Sequence, residues 1–188
     1  MQVQELNDFW DSHFTSQLPV AHLLKESFQD RWMRFHSLPN SKRHPDNESE
    51  YQELLTRQNM LLEEVTKQSK QLWVLLTEHS DKAIPSNESL KRDNLPQGIF
   101  WKTVEDAEAE TFKHIYALPV EFDAGKLDTL LRKVADWQET NVMVVSIAST
   151  ILFHPYDGGV DIILKDAETR ELLKEKFSNW LSSHPEGL

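Results

Sequence analysis

Two short stretches hold the residue types that could do chemistry. In the first, Arg34 and His36 stand two residues apart inside Arg31-Trp32-Met33-Arg34-Phe35-His36-Ser37-Leu38-Pro39. The alternation there reads as a strand. That spacing sets a guanidinium and an imidazole on one face, about 7 Å apart along the chain. Such a pair could hold a phosphate or a carboxylate. Lys42 and Arg43 follow, so Arg31 to His44 carries four cations and no acid. The second stretch is His154-Pro155-Tyr156-Asp157-Gly158-Gly159-Val160-Asp161. A histidine and two carboxylates could ligate a divalent cation, but this spacing is not a tight metal signature.

Both stretches also have plainer readings. Asp157-Gly158-Gly159 between two apolar runs predicts a hairpin turn with a glycine at positive φ, which would set His154 and Asp161 beside it. The cations of the first stretch must meet negative charge elsewhere, and structural pairing of Arg34 with a carboxylate is the favoured reading. The candidate ligand-binding residues are therefore Arg34, His36, Lys42, Arg43, His154, Tyr156, Asp157 and Asp161. No catalytic residue, metal site or cofactor is assigned.

The 188 residues include 31 acids against 20 cations, a formal charge of −11, which argues against a general nucleic-acid binder. The absence of cysteine excludes disulfides, thiolate zinc sites, iron–sulfur ligation and cysteine nucleophiles. Phosphate-binding, dinucleotide-binding, nucleophile-elbow and HExxH motifs are all missing. No signal peptide is visible near Glu5, Asp8 and Asp11, and the longest apolar stretch, around Val142–Phe153, is too short to span a bilayer. A cytoplasmic protein is expected.

The elements that must position these residues follow from periodicity. Leu6, Phe9, Trp10, His13 and Phe14 predict a helix over 4–15, with His13 on its apolar side. Pro19 can open a second helix with Val20, Leu23, Leu24 and Phe28 on one face, so residues 1–30 form a helical segment. In the strand over 31–37, Met33 and Phe35 face one way and Trp32, Arg34 and His36 the other. Asn47, three residues before Glu50, opens a helix over 48–68 bearing Leu54, Leu55, Gln58, Leu61, Leu62 and Val65 inward. Leu72–Leu76 reads as a strand buried on both faces. Residues 79–98 read as a loop and a possible weak boundary. Ile99–Val104 and Phe112–Phe122 read as strands around the acidic turn Glu105–Glu110. Asp123 caps a helix over 124–138 with Trp137 inward. Val142–Ile147, Thr150–His154 and Val160–Leu164 form a meander. Asp166 caps a last helix with Leu172, Leu173 and Phe177 inward, before a tail over 182–188. The six tryptophans read mostly as core; Trp32 and Trp101 each adjoin a cation, where a stacking platform is the alternative. The fold class is α+β: one domain over 1–188, about five to six helices, and a mixed or largely antiparallel sheet.

The stretch Arg31–Pro39 with Ser41-Lys42-Arg43, then Glu50-Tyr51 and Gln58-Asn59, the run His154–Asp161 and the ending Trp180–Pro185 together resemble a family of uncharacterised bacterial proteins, a domain of unknown function. The resemblance implies a bacterial cytoplasmic protein and no established activity. On charge and lack of a catalytic signature, the leading expectation is a non-enzymatic acidic binding protein. It would be of the inhibitor or immunity type, acting on a basic protein partner through Glu48–Glu53 or Glu105–Glu110. The alternative is a small-ligand binder or enzyme with an anion site around Arg34 and His36, completed by Asp157 and Asp161.

Overall fold

The computed structural model describes residues 3–92, 95–107 and 109–181; the expected tail over 182–188 and Glu108 of the acidic turn lie outside them. In chain order the elements are α1 (Val3–His13), α2 (Ala21–Ser27), β1 (Trp32–His36), α3 (Glu48–Thr66), β2 (Gln71–Ser80), β3 (Ser89–Leu90), β4 (Gly98–Asp106) and β5 (Thr111–Glu121). They continue with α4 (Asp128–Ala135), β6 (Met143–Ser146), β7 (Ile151–Tyr156), β8 (Gly159–Ile163) and α5 (Ala167–Lys176). The strands form one eight-stranded sheet, β1-β8-β7-β6-β2-β5-β4-β3, in which every pairing is antiparallel. This is the α+β class expected of a single compact domain.

β2 sits inside the sheet, between β5 and β6, and its side chains alternate between two cores. Leu72, Val74 and Leu76 enter one core with α3, α4 and α5, while Trp73 and Leu75 enter another with α1 and α2. β1 obeys the same alternation: Met33 and Phe35 join the α3 side, and Trp32 packs at the α1 side. Asn47 accepts the Glu50 N–H at the start of α3, and Asp166 accepts the Thr169 N–H at the start of α5. Both are local caps with the spacing such caps require.

Other elements depart from the sequence reading where a distant partner intervenes. α2 starts two residues after Pro19, and its first N–H is capped by Asn141 Oδ1 at 2.9 Å while Asn141 Nδ2 donates to Thr77 Oγ1 at 2.8 Å. β2 runs on to Ser80 because β5 pairs with all ten of its residues. The expected loop over 79–98 thus begins inside a strand, and it contains β3, which pairs with β4, so the sheet continues through the segment. Asp123 does not cap a helix; it pairs with Lys70, and the chain turns at Gly125, whose φ is +83°, before α4 begins. Asn59 of α3 holds that turn, accepting the Gly125 N–H and donating to Asp128. α4 ends at Ala135, and Trp137, with φ of 60°, is 63% exposed rather than inward. His13, Leu23 and Leu172 are likewise exposed, each at the flank of its helix's buried face.

The hairpin at Asp157-Gly158 forms, with Tyr156 opposite Gly159. Neither glycine has a positive φ, however; Gly125 alone among the described glycines does. Gly159 is required for a different reason. A Cβ there would lie 2.1 Å from the Phe35 carbonyl oxygen, because β1 and β8 approach closely at this end. At Gly158 the nearest atom would be a Tyr156 ring carbon at 3.2 Å. Gly159→Ala is therefore expected to destabilise the fold by about 2 kcal/mol or more, and Gly158→Ala by about 1 kcal/mol or less. Denaturant titration of the two variants checks the order.

Candidate functional site

The two stretches singled out by residue type meet in space. β1 lies beside β8, with Arg34 opposite Asp161 and His36 opposite Gly159. Leu164 N–H donates to Arg31 O and Ser37 N–H to Gly158 O, which makes Arg34 and Asp161 a non-hydrogen-bonded pair, the arrangement that brings side chains closest. The guanidinium grips the carboxylate with both arms, Nε to Oδ1 at 2.7 Å and Nη2 to Oδ2 at 2.8 Å. It also lies over the rings of Tyr156 and Trp32, 4.9 and 5.5 Å from their centroids. Asp161 is only 7% exposed, so the pair is held away from bulk water.

The remaining candidates gather around this pair and are engaged in turn. Arg43 Nη2 lies 2.7 Å from Asp157 Oδ2, an ion pair without hydrogen-bond alignment, and His44 Nε2 stands 3.7 Å from the same oxygen. Lys42 reaches Asp46 at 2.7 Å and Glu50 at 2.6 Å, at the start of α3 and away from Arg34's partner. His154 faces Asp161 across the strands, but its Nδ1 lies 2.8 Å from Val142 O. A carbonyl only accepts, so Nδ1 carries the proton. Burial depresses the His154 pKa below its ordinary value, and burial followed by the Arg34 charge does the same for His36. Burial also raises the Tyr156 hydroxyl well above its ordinary value. Among the described residues no group of three or more acids and histidines could hold a metal ion.

A second feature was not singled out by the sequence. At the far end of β2 and β5, on the α3 side, is a cleft of ≈ 460 Å³. Its floor includes Glu78 and His114, directly opposite each other across the strands. One wall comes from Ser86, Asn87 and Arg92 before β4, the other from Gln138, Glu139 and Thr140 after α4. Arg92 Nε and Glu139 Oε1 join the walls at 2.7 Å. His114 is 2% exposed; its Nδ1 lies 2.9 Å from Thr103 Oγ1 and its Nε2 has no hydrogen-bond partner. The one sequence signal was a histidine inside the apolar strand run Phe112–Phe122. Nothing local ties it to Arg92 or Glu139.

Comparison with known proteins gives one finding: a family model described as a domain of unknown function, DUF3885, matches residues 20–185. The chain belongs to the DUF3885 family. No curated protein and no solved structure matches it. The DUF3885 match takes in β1 to α5, hence both the Arg34 cluster and the cleft, while α1 precedes it.

Two predictions follow from the Arg34 cluster of this DUF3885 chain. Removing the guanidinium leaves a buried carboxylate without a counter-charge, so Arg34→Ala should cost about 3 kcal/mol. Replacing both partners, Arg34→Met with Asp161→Leu, should restore most of that in a chemical melt. The second concerns protons. The fold favours neutral His154, so the unfolded chain takes up the proton first as pH falls. Stability is full above the ordinary histidine value of 6.5 and declines below it. His154→Asn, whose amide can replace the Nδ1–H donor, should flatten part of that slope in melts across pH, the rest belonging to His36 and His79, whose pKa values burial also depresses.

Proposed function

We propose that this protein is a non-enzymatic binding protein that docks a basic protein partner through its acidic surface, in the manner of an inhibitor or immunity protein in a bacterial cytoplasm. The observation that carries this reading is the fate of the cationic island. Arg31 donates to the Leu164 and His13 carbonyls, Arg34 is held by Asp161, Lys42 by Asp46 and Glu50, and Arg43 by Asp157. At Arg34, Lys42 and Arg43 an anion would have to displace carboxylates already seated, which weakens the alternative of an anion site or enzyme at Arg34 and His36 with Asp157 and Asp161.

Negative charge, in contrast, is available on the surface. α1 turns Glu5, Asp8 and Asp11 outward at three-residue intervals, with Lys102 no nearer to Asp11 than 3.9 Å. Glu105 and Glu110 are exposed at the β4–β5 turn. The segment Glu48–Glu53 is a poorer contact, because Glu48 is taken by Arg132, Glu50 by Lys42 and Glu53 by Arg57. A net charge of −11 would speed the approach of a basic partner. No helix among the described residues is long and apolar enough to cross a membrane.

The test is affinity capture from the source cell's extract at low salt, followed by association kinetics with whatever is captured. The expected partner is a basic protein whose association slows about tenfold as salt rises to physiological strength. Reversing Glu5, Asp8 and Asp11 to lysine should slow it similarly without lowering the melting temperature. An acidic partner, or association indifferent to both salt and the reversal, would overturn the reading.

A further inference from the structure

The geometry points to the cleft between the ends of β2 and β5 as a binding site for a small hydroxylated amine, its ammonium held by Glu78 and by His114 Nε2. Three observations lead there, each separate from the acidic outer surface. The cleft, at ≈ 460 Å³, lies in the range of small-molecule sites. Among the described residues its lining carries no aliphatic or aromatic side chain other than the two imidazoles of His79 and His114. An apolar ligand would gain little there; a ligand rich in donors and acceptors would be matched at every wall.

The second observation is the buried imidazole. His114 lines the cleft and is fixed on one side by Thr103, while its Nε2, itself buried, has no hydrogen-bond partner among the described residues. A buried polar atom left unsatisfied is costly, and such atoms ordinarily meet a protein group, a water or a ligand. The Thr103 hydroxyl can accept from Nδ1–H, which leaves the Nε2 lone pair open to a donor. An ammonium supplies that donor and selects this tautomer.

The third observation is charge. The cleft holds Glu78 and Glu139 against Arg92. Arg92 is committed to Glu139, so among the described residues an anion meets no free cation on the walls. Glu78 makes no ion pair among the described residues; its carboxylate bears on the Tyr116 hydroxyl, and its strand partner is His114. The uncompensated charge is thus negative and sits beside the unpartnered nitrogen. Ser80, Ser86, Asn87 and Thr140 also line the cleft and offer polar groups to further hydroxyls of the ligand, Ser80 Oγ already accepting the Lys82 N–H and Thr140 Oγ1 lying 3.3 Å from His79 Nε2.

Because the natural ligand is unidentified, the test uses matched probes: glucosamine against glucose and ethanolamine against ethylene glycol. They are titrated at neutral pH into the full chain while the His114 ring nitrogens are followed by NMR. The expected result is a saturable change at His114 with at least one amine, and a response to its neutral counterpart weaker by about tenfold or more. The nitrogen shifts should show the proton on Nδ1 in the bound state. Glu78→Gln should abolish the preference for the amine. No saturable change with either amine, an equal response to the neutral counterparts, or an undiminished preference in folded Glu78→Gln would each overturn the proposal. Should that variant fail to fold, the amine-against-neutral comparison on the parent chain decides. Failure here leaves the docking of a basic protein untouched, since that reading rests on α1 and the β4–β5 turn.

Discussion

The fold depends on covering a sheet that is apolar on both faces. β2 places Leu72, Val74 and Leu76 on one side and Trp73 and Leu75 on the other, all fully buried. Each such side chain is worth about 1.5–3 kcal/mol when removed from water. Neither face can be left open, so helices must lie on both. α3, α4 and α5 supply one layer; α1 and α2 supply the other. Trp10 and Trp101, with ring centroids 5.3 Å apart, and the bond from Trp101 Nε1 to Asn7 at 2.7 Å fasten α1 over β4.

Beyond that apolar cover the α1 face becomes polar. Trp32, Arg34, His36, His154, Tyr156 and Asp161 share it on β1, β8 and β7, where the alternation of the strands leaves them no other direction. A charge placed there must be paired, since desolvation of a lone ion costs several kcal/mol. The two-armed Arg34–Asp161 contact meets that demand, and the aromatic rings on the guanidinium add cation–π attraction. The residues that look most like chemistry in the sequence are thus closing the edge of the sheet.

The other end of the sheet is organised differently. Along β2 and β5 the α3-side core runs from Leu76 and Tyr116 to Glu78 and His114, and no helix among the described residues lines the cleft over the last pair. Segments without regular structure form the walls, joined by Arg92 and Glu139. Tyr116 marks the border: its ring is buried in the core and its hydroxyl donates to Asn87 O at 2.9 Å. Arg92, Glu139 and Tyr116 are saturated there by protein partners, whereas Glu78 makes no ion pair and the buried His114 Nε2 has no hydrogen-bond partner among the described residues.

The sequence alone determined the elements whose signals are local. The Asn47 and Asp166 caps, the leucine spacing of α3, the alternation of β1 and the Asp157-Gly158 turn each depend on residues a few positions apart, and each is present. It also determined that Arg34 and His36 share a face, since a strand's period of two permits nothing else. Tertiary structure decided the remainder. Asp161 meets Arg34 from 127 residues away, and Asn141 caps α2 from 120. The length of β2 follows from β5, the late start of α4 from Asn59, and the need for Gly159 from the neighbouring Phe35 carbonyl rather than from its own φ. The cleft was illegible for the same reason. Local periodicity records which way a side chain points, but a pairing across the chain leaves no mark in the spacing of either partner.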